Sequence, residues 1–196
     1  MSTAQRNYEM RYRQPMDSET PHWWAMSATF NRSLKAKEEL AMRGIEHFLP
    51  MKPAVGVRGG RKIRRMVPAV TNLIFVRTDE QTIQQVKSEL KYLQFLCHTE
   101  DGHRRRIIVP DAQMDDFIRV ADSQADGLVF LHPDEIDLTR GDRVRIHGGP
   151  FDGVEGTFIK VQGKRRRMVV VSIPTLTSVA TLEFEPELLE PMKDKR

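Results

Sequence analysis

The chain has 196 residues, with 31 Lys+Arg against 27 Asp+Glu, a formal charge of +4, 39% hydrophobic and 30% charged side chains and a mean hydropathy of -0.49. At roughly 100–200 residues per domain this is one domain or two small ones. No apolar run approaches the roughly 18 residues of a membrane span, the polar residues 1–14 do not resemble a signal peptide, and Cys97 is the single cysteine. A soluble protein of a reducing cytoplasm is expected, with no membrane partner, no intrachain disulfide and no zinc framework.

Charge is unevenly spread. Lys52, Arg58, Arg61, Lys62, Arg64 and Arg65 lie in a stretch without an acid, and 104–106 and 164–167 are further basic clusters. Between Asp111 and Asp137 only Arg119 opposes Asp111, Asp115, Asp116, Asp122, Asp126, Asp134, Glu135 and Asp137. Basic loops of this kind are either phosphate contacts, favoured by counterion release, or solvated hairpin tips.

In chain order, residues 1–21 lack periodicity and are expected to be a disordered tail. His22–Thr29 alternates as a strand with Trp23 and Trp24 on opposite faces, and Asn31 is placed to cap a helix lined by Leu34, Leu40 and Ala41 that Gly44 ends. Ile45–Leu49 predicts a strand, Val55–Arg65 a flexible glycine-bearing hairpin excursion, and Val67–Val76 a returning strand. Thr78 with Gln81 suggests a capping box for a helix carrying Ile83, Val86 and Leu90. Tyr92–Cys97 and Arg106–Val109 are extended, and Pro110-Asp111 opens a third helix with Met114, Phe117, Ile118 and Ala121 on one stripe.

This order predicts an α+β protein whose first domain, 22–121, is a ferredoxin-like split βαβ unit with an antiparallel sheet. Residues 122–137 are an acidic linker. From 138 to 191, short β-runs punctuated by Gly148-Gly149-Pro150, Asp152-Gly153 and Gly163 predict a small SH3-like β-barrel, followed by a tail at 192–196.

No nucleophile elbow, Walker loop, dinucleotide fingerprint or metal-ligand signature occurs, and the six histidines fall in different predicted elements, so an enzyme is not expected and no metal or cofactor is assigned. A split βαβ sheet with a basic hairpin raises RNA recognition, but Val70-Thr71-Asn72-Leu73-Ile74-Phe75-Val76 has one aromatic residue and no glycine. Leu73 and Phe75 share a face, with Trp23 or Trp24 of the neighbouring strand beside them, that is better suited to a protein than to nucleobases.

The densest local pattern is Gly141-Asp142-Arg143-Val144-Arg145-Ile146 followed by Gly149-Pro150-Phe151-Asp152-Gly153-Val154-Glu155-Gly156, which resembles a KOW motif. Upstream, His22-Trp23-Trp24-Ala25-Met26, Gly44-Ile45-Glu46-His47-Phe48-Leu49-Pro50 and Val70–Arg77 resemble, in order, the NusG N-terminal (NGN) domain. Together the two resemblances span about 22–191, and Val67–Val76 is most similar to specialised NusG paralogues of the RfaH and UpxY type. Val70, Thr71 and Leu73 depart from the aromatic-Pro-Gly/Asn-Tyr pattern usual there.

The resemblance implies a transcription factor that lays an apolar hollow over the clamp helices of RNA polymerase and promotes elongation or antitermination of particular long operons, such as capsular or exopolysaccharide genes. Positions Val70, Leu73, Phe75 and Leu96, with Trp24 nearby, would line the hollow. Gln84 and Gln85 would touch the opposite wall of the cleft. Arg32, Lys35, Arg61, Lys62, Arg64 and Arg65 would meet phosphates of upstream or non-template DNA. The KOW residues Gly141, Asp142, Val144, Gly149, Pro150, Phe151, Gly153 and Gly156 would belong to a domain that recruits a ribosomal protein or Rho. A monomer is expected. The alternative is a ribosome-associated, RNA-binding KOW protein using 164–167.

Overall fold

Alternating strand patterns and helical apolar spacing in the front half give, in chain order, β1 (His22–Ala28), α1 (Ser33–Met42), β2 (Glu46–Phe48), β3 (Met51–Arg58), β4 (Arg61–Pro68), β5 (Leu73–Thr78), α2 (Glu80–Glu89), β6 (Leu93–Phe95), β7 (Cys97–Glu100), β8 (His103–Arg106), β9 (Ile108–Val109) and α3 (Asp111–Ala121). The computed structural model describes residues 19–100, 102–123, 128–131, 138, 141–160, 167–173, 176–180 and 188–192. The expected tails at 1–18 and 193–196, residues 124–127 and 132–137 of the linker, and 164–166 of the last basic cluster lie outside the described residues.

The main sheet runs β2-β5-β1-β6, with β9 beside β1, and its pairings are antiparallel. Both faces are covered. Trp24, Met26, Ile74 and Val76 pack under α1 and α2 through Ala36, Leu40, Ile83 and Val86. The opposite face, with Trp23, Ala25, Leu73 and Phe75, joins a core containing Met114, Phe117 and Val120 of α3. Trp24 is fully buried, and its indole Nε1–H donates to the Thr78 carbonyl at 2.8 Å, so the ring's polar edge is satisfied.

Local chemistry moves several boundaries. Asn31 does not cap α1. The N-cap is Arg32, without a side-chain hydrogen bond, and the buried positions are Ser33, Ala36 and Leu40, leaving Leu34 exposed. Asp79, rather than the Thr78/Gln81 pair, caps α2. The Thr82 N–H and hydroxyl hold its carboxyl below the usual aspartate range. The expected strand 67–76 is interrupted at 69–72, where Asn72 has φ +62°, so Val70 lies in a connection rather than on a strand. The glycine-rich excursion is a two-stranded ribbon, β3 against β4, paired from Met51↔Pro68 to Arg58↔Arg61.

The second half forms β10 (Val129–Leu131), β11 (Asp142–Ile146), β12 (Glu155–Lys160), β13 (Arg167–Ile173), β14 (Thr177–Ala180) and β15 (Leu189–Pro191). Here the expectation of a closed SH3-like barrel is corrected. The six strands make an open sheet in the order β10-β14-β13-β12-β11-β15, and among the described residues no ladder joins the edge strands β10 and β15. Over the described residues the chain is a mixed α+β fold of open sheets. A barrel removes its edges by pairing first strand to last. In this sheet Val144, Ile146, Val169, Val171 and Val179 instead share the core of α3, so burial comes from packing layers. β10 arises from within the span read as linker and pairs with β14.

Gly156 sits where β12 crosses β13 so closely that a Cβ would lie 2.6 Å from Val169 Cγ1 and 2.8 Å from the Val170 carbonyl oxygen. Backbone cannot swing aside as a side chain does. Gly156→Ala is therefore expected to destabilise the protein by about 1–3 kcal/mol, measured as a lowered midpoint in urea unfolding. An unchanged midpoint would contradict the close approach.

Candidate functional site

The apolar face of the main sheet is assembled by register. Ala25 stands opposite Phe75, and Ser27 opposite Leu73, on β1 and β5, while Phe48 of β2 stands opposite Phe75 on the other side. Leu73 is 3% exposed and Phe75 fully buried. Val70 and Leu96 are half-buried against the same core. Trp24 belongs to the opposite, helix-covered face, and Trp23 takes the place beside Leu73 and Phe75. Two residues one position apart on a strand point oppositely, so only one of the tryptophans can join this face.

What covers the face is α3. The Phe117 ring meets Phe75 and Phe48 edge-on at centroid distances of 6.0 and 6.2 Å, a geometry that aligns ring edge with ring face. At the first turn of α3, Arg77 of β5 donates to Asp111 through Nε and Nη2, both at 3.3 Å, and to Glu46 at 3.2 Å. Among the described residues, polar contacts fasten the second sheet and its loop to α3. Gln113 Nε2 donates to the Ser172 carbonyl at 2.7 Å, Arg119 Nη1 to the Asp152 carbonyl at 2.7 Å, and the Glu155 N–H to Asp116 Oδ2 at 3.2 Å. One apolar core thus runs from the first sheet through α3 into the second.

The residues expected to touch polymerase at α2 are exposed but engaged. Gln84, with its amide oxygen facing Arg106, accepts from Nη2 and Nη1 at 2.8 and 2.9 Å, and Gln85 donates to Glu89 at 3.1 Å. Arg106 also pairs with Glu80 at 2.8 Å and lies 4.5 Å from the Phe95 ring centroid. The expected phosphate-contacting residues divide into two groups. Arg61, Lys62, Arg64 and Arg65 are exposed on the β3–β4 ribbon without an ion pair among the described residues. Val55 faces Arg64 and Val57 faces Lys62 across it, and both valines are exposed. Arg32 and Lys35 lie at α1, away from that ribbon, each within 5.7 Å of the Tyr92 ring.

The KOW-like residues build structure. Gly149–Phe151 is a single 3₁₀ turn, Asp152 Oδ1 accepts from the Gly148 N–H at 2.6 Å, and the Gly153 N–H donates to the Ile146 carbonyl at 2.8 Å. The loop folds Phe151 and Val144 into the α3 core. Pro150 lies within the turn, and Asp142 begins β11. Gly141 abuts Thr157 and Ile159, as Gly156 abuts β13. Of the two tryptophans that the sequence left open beside Leu73 and Phe75, the structure takes Trp23, and Phe48 and the covering role of Phe117 were missed by sequence reasoning. The spacing of Met114, Phe117, Ile118 and Ala121 marked an apolar stripe on α3 but not its destination. Among the described residues, no group of three or more His, Cys, Asp or Glu is placed to hold a metal, and no helix is long and apolar enough to cross a membrane.

Burial between α3 and the second sheet pushes the Asp116 carboxyl above the ordinary value of 3.8, against the lowering effect of the Glu155 N–H. A carboxyl whose folded value is raised contributes stability that is complete below its unfolded value and is lost as pH rises through the folded one. Asp116→Asn keeps an acceptor oxygen without the charge. Its stability relative to the parent is expected to increase between about pH 4 and about pH 7 in paired urea titrations. Parallel curves would show that Asp116 titrates unperturbed.

Residues 21–118, half of the chain, match the family model described as "NusG: Transcription termination factor nusG". No curated protein sequence matches. Among solved structures, the chain is similar to one described as "Domain interaction in Thermotoga maritima NusG", with 18% identity, a TM-score of 0.44, and coverage of 89% of this chain and 98% of that one. The extent of the family match, on the domain that holds the apolar face, places this chain in the NusG family of non-catalytic transcription factors.

Proposed function

We propose that this NusG-family chain acts as a stoichiometric elongation and antitermination factor of the specialised, RfaH/UpxY-like kind. It binds the clamp helices of RNA polymerase through the apolar face of its first sheet and serves particular long operons, such as those for capsular or exopolysaccharide, in the bacterial cytoplasm. The observation that carries this reading is the continuous apolar face formed by Trp23, Ala25, Leu73 and Phe75, with Val70 and Leu96 half-buried beside it. An apolar face of this extent, when exposed, is what a protein partner buries, and here α3 covers it.

Leu73 and Phe75 lie within the same core as Phe117, so full engagement requires α3 and the second sheet to move off the face. Polymerase binding is then coupled to a closed-to-open equilibrium. Apparent affinity is reduced by whatever fraction of molecules is closed, and the partner shifts the population by its preference for the open form. Once open, the KOW-like half is released to recruit a ribosomal protein or Rho at raised effective concentration. The basic ribbon and α1 meet upstream or non-template DNA through Arg61, Lys62, Arg64, Arg65, Arg32 and Lys35, and bridging the cleft disfavours the opened polymerase states that pause.

Two measurements test this. Retention of core RNA polymerase by the tagged chain is expected, and Val70→Asp with Leu96→Asp should lower that affinity at least about tenfold while leaving the melting temperature within a few degrees. Leu73 is too buried to serve as the probe. Retention on ribosomal RNA with none on polymerase would favour the ribosomal alternative. Removing the fastening of the second sheet with Gln113→Ala and Arg119→Ala, two hydrogen bonds worth about 0.5–1.5 kcal/mol each, should raise polymerase affinity about tenfold. Weaker or unchanged binding would mean that the closed layer does not compete with polymerase.

A further inference from the structure

The β3–β4 ribbon is a sheet of its own, so each of its strands has an outer edge. The terminal strands of the two larger sheets, β2, β6, β10 and β15, are three residues long, and short edges are one way in which proteins avoid pairing with foreign strands. β3 and β4 have eight residues each. Gly59 and Gly60, at φ +56° and +74°, make the tight turn between them, in the backbone that a two-residue hairpin loop requires. The residues flanking such a turn, Arg58 and Arg61, face one another as a hydrogen-bonded pair, and bonded and unbonded pairs alternate down an antiparallel ladder. Gly56↔Ile63 and Ala54↔Arg65 are therefore bonded, while Val57↔Lys62, Val55↔Arg64 and Pro53↔Met66 turn their main-chain groups outward. The same alternation reaches the root of the ribbon, where the Ala69 N–H donates to the Pro50 carbonyl at 2.8 Å, and it puts both Pro53 and Pro68 on outward positions, where no ladder donor is lost.

The two edges are defended differently. On β4 the outward groups include those of Lys62 and Arg64, and charges on an edge discourage an added strand. On β3 they include those of Val55 and Val57, whose outward N–H and carbonyl groups have no partner among the described residues and whose side chains are 66% and 72% exposed. An uncharged edge of β-branched residues is a template for strand addition. Chemistry narrows the occupant. A polypeptide strand answers N–H and carbonyl in turn, whereas a phosphate backbone offers acceptors alone and leaves the outward carbonyls facing negative oxygen. A second copy would bring together two ribbons that each carry Lys52, Arg58, Arg61, Lys62, Arg64 and Arg65 without an acid, and like charges repel. Arg65 leans toward the β3 edge. Its Nε lies 3.7 Å from where a Cβ on Gly56 would stand, so the missing side chain lets the guanidinium cross the strand on the face opposite to Val55 and Val57.

We propose that the outer edge of β3 at 54–57 is a strand-addition site for an extended segment of a partner protein in which carboxylates alternate with aliphatic residues. The aliphatic side chains pack beside Val55 and Val57, the carboxylates on the other face meet Arg65, and the main chain pairs with both valines. Lys62 and Arg64, on the far edge, are left to phosphates. The site does not depend on polymerase binding.

The test is fluorescence anisotropy of the full chain with a blocked, labelled peptide of about six residues alternating Glu and Val, beside its backbone N-methylated form, which cannot donate, and a form with Lys in place of Glu. The parent is expected to bind the first and neither of the others, and amide hydrogen exchange at Val55 and Val57 should slow in its presence. Val55→Pro removes an outward donor, as Pro53 already does, and leaves a peptide carbonyl unpaired, so affinity should fall about tenfold or more. The melting temperature should hold, because Val55 lies outside the buried clusters. Val57→Pro should act alike, whereas Val55→Thr, which keeps the N–H and the branched Cβ, should bind like the parent. Arg65→Gln should weaken the Glu-bearing peptide. The proposal is overturned if the parent does not bind that peptide, if either comparison peptide binds as well, or if both proline variants bind like the parent. Slowed exchange at Val55 and Val57 with an oligodeoxynucleotide alone would give the edge to nucleic acid, and slowing that grows with protein concentration alone would give it to a second copy. Either result overturns the proposal.

Discussion

The first sheet has two apolar faces and only two helices on one of them. That mismatch governs the rest of the molecule. α1 and α2 cover the Trp24–Met26–Ile74–Val76 side, while the Trp23–Ala25–Leu73–Phe75 side depends on α3 and, beyond it, on a second sheet. Phe117, edge-on to Phe48 and Phe75, is the central contact of that cover. Because apolar area drives association without direction, a face that can be covered by the chain's own helix can also be covered by a partner's. The same surface therefore stabilises the molecule as folded and, in the function proposed above, is the one polymerase would meet once the cover lifts.

The polar contacts at the cover have a different character. Gln113, Arg119 and Asp116 each meet a main-chain group of the second sheet, so their strength depends on backbone position rather than on complementary side chains. Net contributions of single hydrogen bonds are small, and partial burial disfavours the charged form of the Asp116 carboxyl. A layer secured in this way is separable, in contrast to the β1–β5 ladder, whose paired residues include Trp24, Ile74, Phe75 and Val76, all fully buried.

Charge follows another division. Arg61, Lys62, Arg64 and Arg65 of the β3–β4 ribbon and Arg32 and Lys35 at α1 have no ion pair among the described residues, whereas Arg77, Arg106 and Arg145 are matched by carboxylates. Exposed ion pairs add little to stability, so the matching chiefly orients side chains and leaves the unmatched cations as the molecule's electrostatic signal to a polyanion.

Length, charge blocks, the apolar stripes of α2 and α3, and the glycine-punctuated motif near 141–156 were legible in the sequence because each is a local pattern with a local physical cause. Alternation showed that Leu73 and Phe75 share a face, but not which tryptophan joins them, since neighbouring strands and their register choose the side. Val70 read as a strand residue until Asn72 turned the backbone. The glycine cluster and short β-runs suggested a closed barrel, whereas the strands form an open sheet, because closure depends on whether the first and last strands reach one another. What only the tertiary structure decided was the destination of each apolar surface, in particular the layering of Phe117 and the second sheet over the first. Sequence determines how apolar residues are spaced along the chain, and three-dimensional packing alone determines which of those surfaces meet.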